Sequence, residues 1–253
     1  MALPAEHGGW GFLLEPILLG LLVAASWAGA LLALAALGVF LLHQPLKIAV
    51  KDRLKGQRPA RTVWAERFAI GYGLLALIPM LVLLASVPAD FVLPITLAVP
   101  LASLQLYYDA RNQSRKFVPE IAGAAALAMI APAIVMLAGW SLAAGLILWL
   151  VLALRAVTSI LYVRARLKLE HGETVSPTPV WVAHGAALVG TTALAALRMV
   201  PTLTIVPFVV LLGRAWLGLS AHRQPRRAKV IGFQEMGYGL FTVACIALGY
   251  SIV

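Results

Sequence analysis

The sequence predicts an all-α membrane protein, a polytopic bundle of about nine transmembrane helices. Of its 253 residues 62% are hydrophobic and 12% are charged, whereas roughly 25% of the residues in a soluble domain are charged. The apolar runs approach the roughly 20 residues that a helix needs to cross the hydrocarbon core. They are continuous and rich in Ala and Leu rather than alternating, which argues against a transmembrane barrel.

We predict one transmembrane domain over residues 1–253. Its spans are expected at residues 10–25, 27–42, 67–86, 91–108, 119–137, 140–163, 180–197, 202–219 and 235–252. The first two runs are nearly continuous, but 33 residues are too many for one crossing,. They are therefore predicted to form a helical hairpin that turns at Ala25 and Ser26.

The basic residues cluster between pairs of spans. Of the 20 Lys and Arg residues, 17 fall in stretches 43–67, 109–116, 164–179 and 222–229. Each stretch follows an even-numbered span, so all four lie on one side, which the positive-inside rule assigns to the cytoplasm. The N-terminus is then cytoplasmic and the C-terminus outside. Because this rule accounts for the net charge of +10, we do not infer a nucleic-acid partner.

Several ionisable residues fall in or beside the spans, where charge is costly and marks function or a paired contact. They are Glu6, His7, Glu15, Glu120, Arg155, His184, Arg214 and Glu235. From Glu15 onward all lie in the cytoplasmic halves of their spans, which predicts one shared polar cavity opening inward. Structural alternatives are helix N-terminal positions for Glu120 and Glu235 and a salt bridge between an intramembrane Arg and Glu15.

Short motifs accompany this layout. Gln44, Ile48 and Asp52 follow span two at spacings of four, with Arg58-Pro59 beyond. Tyr107-Tyr108-Asp109-Ala110-Arg111, Arg115-Lys116 and Pro119-Glu120 follow span four, and Gly172 and Thr174 follow span six. With these motifs, the nine-span layout resembles the UbiA superfamily of intramembrane prenyltransferases. The opening residues 4–10 and Glu15-Pro16 resemble the YwiC-like bacterial membrane proteins, which implies a bacterial inner membrane.

The UbiA resemblance implies Mg²⁺ held by acidic residues of two motifs, clamping a prenyl diphosphate. Here the first motif keeps only Asp52, and the second site presents Arg164 and Arg166. Since Mg²⁺ prefers carboxylate and phosphate oxygens and is repelled by nearby cations, we disfavour Mg²⁺ and predict no bound metal or other cofactor.

Cations at these positions could instead hold an oxyanion directly. The predicted ligand site comprises Gln44, Asp52, Arg58, Asp109, Arg111, Arg115, Arg164 and Arg166. Besides membrane lipids, the expected partner is an anionic amphipathic molecule of isoprenoid or quinone type. Catalysis is left open, as is a protein partner. The alternatives are a non-catalytic assembly factor or small transporter, with basic loops that reflect only the positive-inside rule or contact with anionic lipid.

Overall fold

The computed structural model describes residues 7–56 and 59–252. Within those ranges the chain is helical and contains no strand, which confirms the all-α prediction. The helices are α1 (His7–Val23), α2 (Trp27–Leu54), α3 (Ala60–Ser86), α4 (Val92–Ala110), α5 (Phe117–Ala128), α6 (Ile130–Met136), α7 (Leu142–Glu170), α8 (Thr178–Ala196), α9 (Ile205–Gly218) and α10 (Ala228–Ile252). Single 3₁₀ turns at Ala89–Phe91 and Thr202–Thr204 precede α4 and α9.

Seven helical segments in the described part of the chain are long and apolar enough to cross a membrane. Two shorter apolar helices, Gly9–Val23 and Thr202–Gly218, accompany them. Each segment overlaps a predicted span. The predicted hairpin turn also appears, since α1 ends at Val23 and the Ser26 side chain caps α2 by accepting a hydrogen bond from the Gly29 amide at 3.0 Å.

Several helices extend beyond their predicted spans. Helix α2 continues from the apolar run through His43 and Asp52 to Leu54, and α7 continues to Glu170. Helix α10 begins at Ala228, so the prediction that Glu235 opens the last helix is wrong. The reason is that an α-helix satisfies its own backbone hydrogen bonds in water as well as in lipid, and its ends therefore need not coincide with the ends of the apolar run.

The fifth span is broken at Met129 into α5 and α6. The Met129 amide donates to the Ala126 carbonyl instead of the Ala125 carbonyl that a regular α-helix would use. The Ala125 carbonyl is thereby free to accept from another donor. The indole Nε1 of Trp149 donates to that carbonyl at 2.9 Å. Pro132 follows in α6 and cannot donate a backbone hydrogen bond,. A side chain of α7 thus compensates for the break, as lipid-buried backbone requires.

Helix α7 lies in the interior of the bundle together with the α5–α6 segment, and α3 and α4 lie at its edge. Half of the most apolar part of α7 is buried, compared with 11% for each of the segments that contain α3 and α4. Helix α3 packs chiefly on α2, where Gly38 permits close contact: a Cβ there would lie 2.6 Å from the Ala76 backbone nitrogen. Around the candidate site, α1 packs against α10 and α5, and α5 packs against α7.

Candidate functional site

A chain of buried charges crosses the bundle. Its first link joins α1 to α7: Arg155 Nη2 lies 3.1 Å from Glu15 Oε1. Arg155 is 2% exposed and Glu15 is 5% exposed, so water screens the pair little. The pairing of Glu15 with an intramembrane arginine that the sequence suggested is therefore present, and Arg155 is that arginine.

Glu235 on α10 is the centre of the chain. Its carboxylate accepts hydrogen bonds from Arg214 Nη1 and from the Ser159 hydroxyl, while its backbone carbonyl accepts one from Arg155 Nη2 at 2.8 Å. Glu235 therefore links its own helix, α10, to both α7 and α9. Buried polar groups require such partners, because an unpaired charge in a low-dielectric interior is costly.

The far end of the chain is His184 on α8. Arg214 Nη2 lies 3.0 Å from His184 Nε2, and His184 Nδ1 lies 2.8 Å from the Val180 carbonyl. Because a guanidinium can only donate, Nε2 must accept and Nδ1 must carry the proton. The contacts thus assign a neutral imidazole. The ring of Tyr162 faces the Arg214 guanidinium at 3.9 Å, and that of Tyr238 at 5.3 Å.

A pocket opens beside the first half of this chain, between α1, α5, α7 and α10. Its volume is about 380 Å³. The lining residues are Gly11, Phe12, Glu15, Glu120, Arg155, Ser159, Ile160, Val163, Ala228, Lys229, Gly232, Glu235 and Met236. They come from the first halves of α1, α5 and α10 and from the middle and second half of α7, so the pocket lies toward the end of the bundle that carries the basic stretches.

The charged residues of the pocket form two groups. Glu15, Arg155 and Glu235, the deeper group, are buried and belong to the charge chain; we call them the floor. Glu120 and Lys229, nearer the helix ends and more exposed, form what we call the mouth. Arg164 Nη1 binds Glu120 Oε2 at 2.9 Å and also donates to the Arg115 carbonyl at 2.9 Å, which joins α7 to the first turn of α5.

Four predicted intramembrane residues therefore line one pocket, and Arg214 and His184 lie behind it. The remaining two, Glu6 and His7, lie outside the residues whose side chains are described. The predicted ligand residues are not assembled in the same way: Asp52 and Asp109 take part in separate clusters on other helices, and neither lines the pocket.

Asp52 lies in a cluster at the α2–α3 turn. It is 3% exposed; its Oδ1 accepts from Arg61 Nη2 at 2.8 Å, and its Oδ2 accepts from Arg61 Nε at 3.0 Å and Thr62 Oγ1 at 2.7 Å. Both oxygens are thus bound by donors of the protein itself. This arrangement does not fit a Mg²⁺ ligand, which must direct an oxygen lone pair at the ion, and we derive no step through Mg²⁺.

Asp109 connects the ends of α4 and α2. Lys47 Nζ donates to its Oδ1 at 2.7 Å, and His43 Nε2 lies 3.4 Å from its Oδ2. Arg111 is exposed and its guanidinium lies over the Tyr107 ring at 4.2 Å. Asp109 therefore pairs with residues of α2, and the Arg111 guanidinium contacts an aromatic ring of α4.

Arg166 makes contacts within the protein that hold neighbouring segments together. It is 3% exposed, its Nε lies 2.8 Å from Glu170 Oε1, and its two terminal nitrogens donate to the carbonyls of Gly218 and Gln224. It thereby attaches the α9–α10 loop to the end of α7. Gln44 is half-buried on α2, and Arg58 lies outside the described residues.

Sequence reasoning missed several participants. Tyr238, Lys229 and Gly239 carry no pattern that distinguishes them from ordinary residues of a span or loop, whereas Ser159 does. Gly239 is required by packing, because a Cβ there would overlap the Glu15 carboxylate and lie 2.8 Å from Arg155 Nη2. A polar residue four positions after an intramembrane arginine, as Ser159 is after Arg155, lies on the same helix face and was the available signal.

Comparison with known protein families gives a match. A family model described as YwiC-like protein matches residues 3–135, which is more than half of the chain and includes α1 and the first turn of α5. No curated protein and no solved structure matches the chain significantly. The UbiA-like arrangement therefore stays a prediction.

Proposed function

The chain belongs to the YwiC-like family, and from that premise and the pocket geometry we propose that it binds an anionic amphipathic molecule in the membrane. The proposed ligand is an isoprenoid or quinone-type lipid. Its polar head would lie among the charged residues of the pocket and its apolar part against the walls. The proposal assigns binding and no reaction.

The proposal rests on one observation: a single pocket combines apolar walls with charged residues both at its buried floor and at its more exposed mouth. Phe12, Ile160, Val163 and Met236 supply apolar surface, while Arg155 and the mouth residues supply polar contacts. A volume of about 380 Å³ lies within the roughly 300–1,000 Å³ typical of small-molecule sites. Such sites are mostly apolar with a few polar groups that orient the ligand.

The charge distribution supports an orientation of the protein in the membrane. The pocket lies at the end of the bundle where the basic stretches gather, and the positive-inside rule places that end in the cytoplasm. We propose that the pocket opens toward the cytoplasmic leaflet of a bacterial inner membrane, with the N-terminus inside and the C-terminus outside. Exposed cations at this end would also attract anionic head groups.

Gly232 offers a direct test, because it lines the pocket and, apart from its chain neighbours and the adjoining backbone of its own helix, no atom lies within 4 Å of the position its Cβ would take. Gly232→Leu should fill the pocket without disturbing helix packing. Gly237 has an equally open Cβ position on the same helix but does not line the pocket, so Gly237→Leu is the matched control.

The measurement is native mass spectrometry with lipid extraction on protein purified gently from its own membrane. We expect a stoichiometric isoprenoid or quinone-type lipid on the wild type and on Gly237→Leu, and its loss from Gly232→Leu. Bulk phospholipid alone on all three proteins, or equal retention of the lipid by both variants, would contradict the proposal.

A small transporter is the second candidate, and the buried charge chain is the observation that favours it. Glu15, Arg155, Glu235, Arg214 and His184 form a continuous series across five helices. Charges in a membrane often mark ion or proton pathways. Reconstituted vesicles would distinguish the two: a transporter moves the bound molecule across the bilayer, and Arg155→Lys should slow that movement while the ligand still binds.

A further inference from the structure

We infer that the pocket selects a head group with one negative charge, of the phosphodiester or carboxylate class, over a diphosphate. This inference rests on the proposed function, because it concerns the ligand of the same pocket. It follows from how the pocket charges are paired, which the sequence alone did not reveal.

In the part of the chain that the structure describes, each carboxylate that lines the pocket is already bound to an arginine. The pairs are Glu15–Arg155, Glu120–Arg164 and Glu235–Arg214. Three negative and three positive groups therefore cancel. Together with Arg214, which binds Glu235 from behind, the floor carries no net charge, because the guanidinium groups of Arg155 and Arg214 are directed at carboxylates of the protein.

Lys229 is a cation of the pocket lining that belongs to none of these three pairs. Among the described residues it makes no ion pair, and its ammonium lies 5.8 Å from the Phe233 ring centroid, one turn further along α10. With the three pairs cancelled, these described charged groups of the pocket and their arginine partners sum to +1. One negative charge on a ligand would neutralise this set, and the lysine at the mouth is the group that would meet it.

A second negative charge on the same head group would meet repulsion. It would lie within a few Å of the first, and the pocket groups available to it include the carboxylates Glu120, Glu15 and Glu235. Like charges interact strongly where water is partly excluded. A diphosphate could bind only by displacing one of these carboxylates from its arginine, whereas a single anion leaves every pair intact.

The test uses three probes with the same geranylgeranyl tail: the neutral alcohol, the methyl phosphodiester with one negative charge, and the diphosphate. Inorganic phosphate serves as the tail-free anion. Dissociation constants are measured by isothermal titration calorimetry on the full chain in an uncharged detergent. We expect the phosphodiester to bind tightest, about tenfold tighter than the alcohol, the scale of one partly exposed charge-assisted contact.

Two substitutions test the charge arithmetic. Lys229→Gln should weaken the phosphodiester about tenfold and leave the alcohol unchanged, whereas Lys168→Gln, at an exposed cation of α7 that does not line the pocket, should change neither. Glu120→Gln leaves Arg164 without the carboxylate that it binds in the structure and raises the sum by one. We expect this variant to shift its preference toward the diphosphate by about tenfold.

The failure of this inference differs from that of the proposed function. If the diphosphate binds wild type tightest, or Lys229→Gln leaves phosphodiester affinity unchanged while Gly232→Leu abolishes it, the charge selection is wrong and the pocket remains a ligand site. Inorganic phosphate binding as tightly as the phosphodiester would refute an amphipathic ligand. Absence of binding by any probe, together with unchanged lipids on Gly232→Leu, would refute both.

Discussion

Replacing Glu15 with glutamine would test the buried charge chain at its first link. The substitution keeps the size of the side chain and removes the charge that faces Arg155 at 3.1 Å. Arg155 would keep its 2.8 Å hydrogen bond to the Glu235 carbonyl but would lose its carboxylate. At 2% exposure its guanidinium could not recover the lost contact from bulk water.

The magnitude follows from the burial of both partners. Removing one member of a buried ion pair typically costs about 3–5 kcal/mol, because the other charge is left uncompensated. We expect Glu15→Gln to lower the free energy of unfolding by about 3 kcal/mol, the lower limit, since Arg155 retains one strong acceptor. Arg155→Met should cost a similar amount. The double variant should be more stable than the sum of the two losses predicts, by about 2 kcal/mol.

Stability would be measured by unfolding in mixed micelles of increasing dodecyl sulfate fraction, followed by far-ultraviolet circular dichroism. Glu173→Gln is the control, since Glu173 is exposed in the α7–α8 loop and should change stability by less than about 0.5 kcal/mol. If the losses of the two single variants add within about 0.5 kcal/mol in the double variant, the residues are not energetically coupled and the reasoning fails.

Three further substitutions test neighbouring features by the same unfolding measurement. Gly239→Ala should lower the free energy of unfolding by about 2 kcal/mol, because the added Cβ overlaps the Glu15–Arg155 pair,. Gly237→Ala is the control: its Cβ position is unobstructed, and the variant should be neutral or stabilising because Ala favours the helix. Trp149→Phe should lower the free energy of unfolding by about 1–2 kcal/mol, because it leaves the Ala125 carbonyl at the α5–α6 break without its donor,. A loss of stability smaller than that from the same substitution at an exposed tryptophan would contradict this role. Asp52→Asn should lower the free energy of unfolding by about 1–2 kcal/mol, because it weakens the contacts between α2 and α3, and should leave lipid binding unchanged. Loss of the bound lipid from this variant would show that Asp52 belongs to the ligand site.

The fold class could be predicted because it depends on a property that each segment carries by itself. An apolar run of sufficient length in lipid must satisfy its backbone internally, so it forms a helix whatever its neighbours are. The helices could therefore be located from composition, including the tight turn before Trp27. Their ends could not, because nothing in an apolar run determines where a helix stops in water, as α2 and α10 demonstrate.

Part of the candidate site could also be predicted. Glu15, Arg155, Arg214 and Glu235 were identified because ionisable groups are costly in hydrocarbon and are retained only with partners or a function. The ligand set around Asp52 and Arg111 was inferred from loop positions, and the structure distributes these residues over different clusters.

The sequence by itself determined the class of protein, the approximate position of each helix and which buried charges need partners, because these follow from the transfer of single residues and segments out of water. The tertiary structure alone decided which charges meet. Ion pairing depends on distances of about 3 Å between side chains of different helices, and those distances are set by how the helices pack. Thus Glu15 meets Arg155 across the space that Gly239 leaves open, and Lys229 is left as the pocket cation without an ion pair among the described residues.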